Sequence, residues 1–126
     1  MKTTTVWKKK HEFESRQGDN YIKLDGSREH GFSPKALLLA GLAGCSGIDV
    51  VDILEKMRVK FSHFEIETEA TQTDDHPKVF RDVLITYKIN TDKENEEKVR
   101  KAIDLSLEKY CGVSAMLRKN SPINYK

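Results

Sequence analysis

Little in this chain announces a function class. The formal net charge is only +2, from 22 Lys and Arg against 20 Asp and Glu, whereas a dedicated nucleic-acid binder shows a stronger and more clustered basic excess. The longest basic run, Lys8-Lys9-Lys10, suits an exposed strand edge, where lysines discourage unwanted pairing. No stretch reaches the ~18 apolar residues of a membrane span. The N-terminus Met1-Lys2-Thr3-Thr4-Thr5 is followed by more polar residues and not by an apolar signal core, so the expected location is the cytoplasm. No internal repeat and no low-complexity linker interrupts the 126 residues, which are expected to form one domain, 1–126. The 4 histidines, His11, His30, His63 and His76, show no ligand spacing, and the 2 cysteines form no CxxC pattern. No metal site is therefore expected. In a reducing compartment a disulfide is transient or catalytic, so Cys45 and Cys111 are read for reactivity.

What is present is a sequence of alternating and helical patterns. Residues 3–14 alternate through Thr3, Thr5, Trp7, Lys9, His11 and Phe13, which predicts a strand. Ser15-Arg16-Gln17-Gly18-Asp19-Asn20 is dense in turn formers, and Tyr21, Ile22 and Leu24 complete a hairpin. Ser33-Pro34 predicts a helix start, with Ser33 at the N-cap and Pro34 at the first helical position. From Ala36 to Cys45 nearly every residue is apolar or small, the mark of a helix buried on all sides. It surfaces at Asp49, Asp52, Glu55 and Lys56 and ends near Met57-Arg58. Phe64, Ile66, Thr68 and Ala70 then share a strand face opposite the solvated row Glu65, Glu67, Glu69. A turn at Asp74-Asp75-His76-Pro77 leads to Val79, Val83, Ile85, Tyr87 and Ile89, a second hairpin. Thr91-Asp92-Lys93-Glu94 has capping-box form. Val99, Ala102, Ile103 and Leu107 stripe the following helix, which ends at Tyr110-Cys111-Gly112 with glycine placed to terminate it. A short helical turn through Leu117 and a final strand, Pro122–Tyr125, close the chain. The order β-β-α-β-β-α-β is an α+β fold. With 37% hydrophobic residues the core is thin, and the first hairpin and the apolar helix need more cover than one domain supplies. That predicts an obligate homodimer centred on the helix.

Cys45 lies in Gly41-Leu42-Ala43-Gly44-Cys45-Ser46-Gly47. Interior glycines cost a helix ~1 kcal/mol each, so three at spacing three have a steric meaning: a backbone or a ligand comes close on that side, or the helix packs tightly around Cys45 as a small hydrophobe. These glycines sit inside a helix and not between a strand and a helix, so they are no dinucleotide loop. Cys45 lies about three turns in, beyond the reach of the helix dipole, and Asp49 four residues on would raise a thiol. A Cys45 thiolate therefore needs a cation from elsewhere, with Arg16, Arg28 and Lys35 as candidates. Cysteine or serine hydrolysis would need an adjacent base, and no histidine is near Cys45 in sequence. Should the two long helices pack together, Cys45 and Cys111 could approach disulfide range.

Ser33-Pro34-Lys35-Ala36-Leu37-Leu38-Leu39-Ala40-Gly41-Leu42-Ala43-Gly44-Cys45 resembles the OsmC/Ohr family, in which a proline-started, small-residue helix carries Ala-Gly-Cys or Ala-Ala-Cys. Glu108-Lys109-Tyr110-Cys111-Gly112-Val113-Ser114 is similar to the family's second cysteine motif. The likeness covers nearly the whole chain and is greatest to the shorter, YhfA-like members. It implies an intertwined homodimer with sites at the subunit interface, and thiol-based reduction of organic hydroperoxides without a bound cofactor. Cys45 then matches the peroxidatic position, Cys111 the resolving one, and Arg16 the thiolate-stabilising arginine, with an external dithiol as reductant. In the family's well-characterised peroxidases a glutamate after the helix-starting proline pairs with that arginine. Here Lys35 and Ala36 follow Pro34, which leaves that carboxylate out, and Gly112 stands where proline is common. The alternative from another class is a non-catalytic OsmC-like protein that binds a ligand or senses redox state.

Overall fold

Strands β1 (Thr4–Lys9), β2 (Glu12–Gln17) and β3 (Asn20–Asp25) form an antiparallel meander in the computed structural model, which describes residues Met1–Lys126. The long strand expected over residues 3–14 is thus two strands, and the expected hairpin is a three-stranded sheet. The break falls at Lys10-His11, where Lys10 takes φ 48° and its carbonyl accepts a hydrogen bond from the Trp7 indole at 2.9 Å. Nothing there is Gly, Asn or Pro, so the turn carries no local signature. The β2–β3 turn at Gly18-Asp19 was legible: Gly18 has φ 60°, which favours glycine at the first position of a two-residue turn. Pairing Trp7 with Phe13 and Phe13 with Leu24 puts these three on one face. As expected, Lys8 and Lys9 lie on an edge strand.

After β3 the chain folds back on itself around Asp25. Its carboxylate accepts from the Ser27 amide (2.8 Å) and the His30 amide (3.0 Å), and the Ser27 bond, ahead of the others, lowers its pKa. Gly31 is required here, because a Cβ would lie 2.7 Å from the Lys23 carbonyl.

Helix α1 (Pro34–Lys56) starts at the predicted proline and ends with Arg58 at φ 58°, a left-handed position usually given to glycine. By length and composition it is apolar enough to cross a membrane, contrary to the expectation from the sequence. Its row Leu42, Ser46, Val50 and Leu54 is instead fully buried in the protein, and Ser46 and Asp49 carry polar contacts that hydrocarbon would not satisfy. The expectation of burial on every side is also corrected: Leu38 and Ile48 are exposed. Gly41 and Gly44 have nothing within 4 Å of a would-be Cβ, and only Gly47 is approached, by the Ile66 Cδ1 at 3.0 Å.

The chain divides into two compact units, Met1–Leu39 and Ala40–Lys126. In the second, β4 (Phe61–Gln72) and β5 (Phe80–Thr91) make the predicted hairpin, and β6 (Ile123–Tyr125) adds parallel to β5. Its core takes Leu42, Val50 and Leu54 from α1, Val83 and Ile85 from β5, and Val99, Ala102, Ile103 and Leu107 from the predicted stripe. Burying each larger aliphatic contributes about 1.5–3 kcal/mol. The capping box does not form. Thr91 donates its hydroxyl to the Lys60 carbonyl at 2.7 Å instead, and a single 3-10 turn, Lys93–Asn95, precedes α2 (Glu96–Leu105).

Candidate functional site

Beyond Leu105 the chain winds one π-helical turn, Ser106–Tyr110, before α3 (Gly112–Arg118). The glycine expected to terminate α2 as a left-handed cap is the first residue of α3. The break lies one residue earlier, at Cys111, which is extended (φ −75°, ψ 104°). In the π turn the Cys111 amide donates to the Ser106 carbonyl at 2.7 Å, where α geometry would use Leu107. The freed Leu107 carbonyl accepts instead from the Arg118 guanidinium (2.7 Å) and the Ser114 hydroxyl (3.1 Å), as a buried carbonyl must find a partner. Such single π turns are frequent at functional sites. Cys111 Sγ itself caps α3, accepting from the Ser114 amide at 3.3 Å.

Cys111 is 3% exposed, Cys45 half-buried, and both thiols are free. Burial pushes the Cys111 thiol up, its hydrogen bond to Cys45 pushes it further, and the Ser114 contacts oppose both. At neutral pH Cys111 therefore keeps its proton. Cys45 is thus among the groups that act on the Cys111 thiol.

Beside the pair runs a chain of hydroxyls. The Tyr87 hydroxyl lies 2.6 Å from Ser46 Oγ, Ser46 Oγ 3.0 Å from Ser106 Oγ, and Ser106 Oγ 2.9 Å from Asp49 Oδ2. Each hydroxyl has one proton and an ionised carboxylate has none. The single Ser106 proton faces two acceptors, Asp49 Oδ2 and Ser46 Oγ, and between Ser46 and Tyr87 either hydroxyl can donate. Every member is satisfied, and no buried side-chain polar atom lacks a partner. Burial, more than any other influence, pushes Tyr87 up to about 12, so it stays neutral. Cys111, Tyr125 and Asp49 act in the same direction. Its ring stacks on Phe64 (6.4 Å) and meets Tyr125 edge-on (5.9 Å).

Asp49, expected to raise the Cys45 thiol, spends its carboxylate on Ser106. Arg16, placed by sequence in a hairpin tip, lies in β2 in the first unit. Its guanidinium pairs with Glu14 Oε1 at 2.8 Å and sits 5.3 Å over the Tyr21 ring. The arginine does have a carboxylate, supplied two residues back on its own strand and not from the start of α1. The other cation candidates are Arg28, in the loop after β3 at φ 61°, and Lys35, in the first turn of α1. The histidine spacing suggested no cluster, yet ligand atoms of Glu12, Asp25 and His30 lie within 4.8 Å of one another. There the Asp25 oxygens are taken up by backbone amides.

Ser46, Tyr87, Ser106, Ser114 and Arg118 escaped the sequence reading. For the serines a signal existed: Ser46 interrupts the row Leu42, Val50, Leu54, and Ser106 falls on the stripe of Val99 and Ile103. Each is a polar residue at a core position with 0% exposure.

Residues 25–126 match the family model for OsmC-like proteins. Protein YhfA of Escherichia coli is 32% identical over 106 residues, covering 84% of this chain and 79% of that protein. A hypothetical protein of Aquifex aeolicus superposes with a TM-score of 0.85 at 27% identity, over 99% of this chain and 93% of that one. The organic hydroperoxide resistance protein OhrB of Bacillus subtilis shares the fold, with a TM-score of 0.67 at 18% identity over 99% and 95% of the two chains. The family model, the curated relative and the shared fold agree: the chain belongs to the OsmC-like family.

Proposed function

We propose that the protein reduces organic hydroperoxides with its two thiols. The observation that carries this reading is that Cys111, buried and free, is influenced by the free Cys45 thiol from a separate element. The name of the Bacillus subtilis neighbour, an organic hydroperoxide resistance protein, supports the substrate class. Cys45 sulfur attacks the O–O bond, which breaks to give a sulfenic acid on Cys45, and the thiol proton leaves with the alcohol. The Cys111 thiol then attacks the sulfenic sulfur. The S–S bond forms, the S–O bond breaks, and the Cys111 proton leaves in water. An external dithiol restores both thiols by exchange. Arg16 is assigned the role of the cation that favours the Cys45 thiolate. A second copy of the chain is assigned as partner, because Trp7 and Ile22 of the sheet and Leu38 and Ile48 of α1 are left exposed.

The test is consumption of tert-butyl hydroperoxide in the presence of a dithiol, with intact mass read after peroxide alone. Wild type is expected to turn over and to lose two hydrogens in one intramolecular disulfide. Cys45→Ser is expected to be inert, and Cys111→Ser to gain one oxygen, trapped as the sulfenic acid. Arg16→Gln is expected to slow the first attack. Both thiols unmodified after peroxide would overturn the proposal in favour of a non-catalytic OsmC-like binding protein.

A further inference from the structure

Ser106 holds two things at once. Its carbonyl accepts the Cys111 amide at 2.7 Å, the bond that defines the π turn and sets where Cys111 begins. Its hydroxyl lies 2.9 Å from Asp49 Oδ2, 3.0 Å from Ser46 Oγ and 3.4 Å from the Ser46 carbonyl, all on α1, and Ser46 is the residue after Cys45. One side chain thus ties the segment carrying one cysteine to the helix carrying the other. Both serines are fully buried, so water does not compete for these bonds.

The tie also has only one place to go. Relaxing the π turn to α geometry would move the Cys111 amide from Ser106 to the Leu107 carbonyl. That carbonyl is already occupied by Arg118 at 2.7 Å and Ser114 at 3.1 Å. The turn is held on the α1 side by Ser106 and on the α3 side by Arg118 and Ser114.

We propose that Ser106 is a positioning residue for the resolving step, fixing through Ser46 and Asp49 of α1 the separation at which Cys111 meets Cys45. This rests on the thiol-peroxidase reading for its oxidant, the organic hydroperoxide, but the positioning itself concerns any closure of the pair. A disulfide requires Cα atoms within ~7 Å, and small misplacement of reacting groups costs rate steeply, up to about a hundredfold for roughly 1 Å.

Two measurements on the full chain test it. The first follows the Cys45 sulfenic acid after one equivalent of tert-butyl hydroperoxide, trapping it with dimedone at increasing times. Ser106→Ala is expected to leave formation of the sulfenic acid at the wild-type rate and lengthen its lifetime roughly tenfold or more, within the steepness of positional effects. Ser106→Thr, which keeps the hydroxyl, is expected to restore closure. The second equilibrates the reduced protein with glutathione redox buffers and counts the internal disulfide by alkylation and mass, with no peroxide present. Ser106→Ala is expected to lower the effective concentration of the pair by a similar factor. The control is Ser121→Ala, which deletes another buried hydroxyl, the one that donates to the Phe80 carbonyl at 2.8 Å. It is expected to leave both readouts unchanged. Wild-type closure in Ser106→Ala, or an equal loss in Ser121→Ala, would overturn the proposal. Wild type inert to peroxide but sensitive to Ser106→Ala in glutathione would sink the peroxidase reading alone.

Discussion

Each unit carries a sheet of three strands built from alternating sequence, and the two sheets differ in what covers them. In the sheet of β4, β5 and β6, Phe80, Val83 and Ile85 are all buried. In the sheet of β1, β2 and β3 the only buried residue is Asp25, held by its own loop, while Trp7 is 62% exposed and Ile22 48%. Yet Trp7, Phe13 and Leu24 lie side by side across three strands, with Ile22 two residues from Leu24 on the same face. Alternation is enough to make strands, but it does not say what the apolar face will meet. A sheet with such a face left open is a site awaiting a cover, which the proposal above assigns to a second copy.

The comparison is tested most severely by deleting the same side chain in both sheets. Ile85→Ala empties a fully buried site and is expected to cost about 2–5 kcal/mol in urea unfolding, independently of protein concentration in the folding of one chain. Ile22→Ala removes an exposed side chain, which in a lone chain would cost no more than about 0.5 kcal/mol. With a second copy over the sheet, its cost is expected to exceed that and to shrink toward the lone-chain value as the protein is diluted. A small, concentration-independent loss would leave the first sheet bare.

The next largest effect is on assembly. Light scattering at micromolar concentration is expected to give twice the 14.5 kDa of one chain. Trp7→Ser, which puts a hydroxyl in the middle of the open face, is expected to halve that mass while leaving the far-ultraviolet spectrum of the second unit's helices unchanged. A wild-type mass of one chain would remove the second copy as the cover.

The same contrast explains what could be read from the sequence. The second hairpin, the stripe Val99, Ala102, Ile103, Leu107 and the start of α1 at Pro34 were legible because their periodicity is the burial pattern itself. The turn at Lys10-His11 was not, because it rests on a lysine at positive φ and an indole bond. Cys45 and Cys111 stood out through their motifs, Cys45 in a small-residue helix and Cys111 at a helix break. The π turn that aims Cys111 was not, since an extra residue in a helical turn leaves the apolar stripe intact through Leu107. Arg16 was legible as a cation but not its partner Glu14, which stands two residues away along a strand and so on the same face.

Alkaline pH separates the units further, because the two most perturbed acids of the thiol site lie in the second. Cys111 is raised above an ordinary 9.0 and Tyr87 from 10.0 to about 12. An acid whose folded pKa lies above its unfolded value stabilises the fold below the unfolded pKa, and that stability is lost as pH rises through the folded one. Unfolding free energy is therefore expected to fall from about pH 9 toward pH 12, over the span of these two groups. Tyr87→Phe is expected to flatten the upper part of that fall. Identical alkaline slopes for wild type and Tyr87→Phe would mean that the phenol titrates as it does in the unfolded chain.

The smallest effect sets one surface ion pair against its counterpart in the other sheet. Lys88 Nζ lies 2.7 Å from Glu67 Oε1 and 3.7 Å from Glu65 Oε2, across from Glu65 in the β4–β5 register. Arg16 and Glu14 make the corresponding pair on β2. The hydrogen bond from Lys88, ahead of its charge, lowers the Glu67 pKa below 4.5. A depressed carboxylate stabilises the fold above its unfolded pKa, and that stability is lost as pH falls through the lowered value. Both partners are solvent-exposed, so salt screens the attraction. Glu67→Gln, with Glu65 still within reach of Lys88, is expected to lower the thermal midpoint barely measurably at neutral pH and low salt. The difference should vanish in high salt and again well below pH 4.5, where Glu67 in the wild type is protonated too. A loss as large as that of Ile85→Ala, indifferent to salt, would mean that the face of β4 carrying Glu65, Glu67 and Glu69 is covered like the core and not solvated. The second sheet would then carry more covered surface than its single chain displays, and the contrast between the two sheets would narrow to the first one's apolar face.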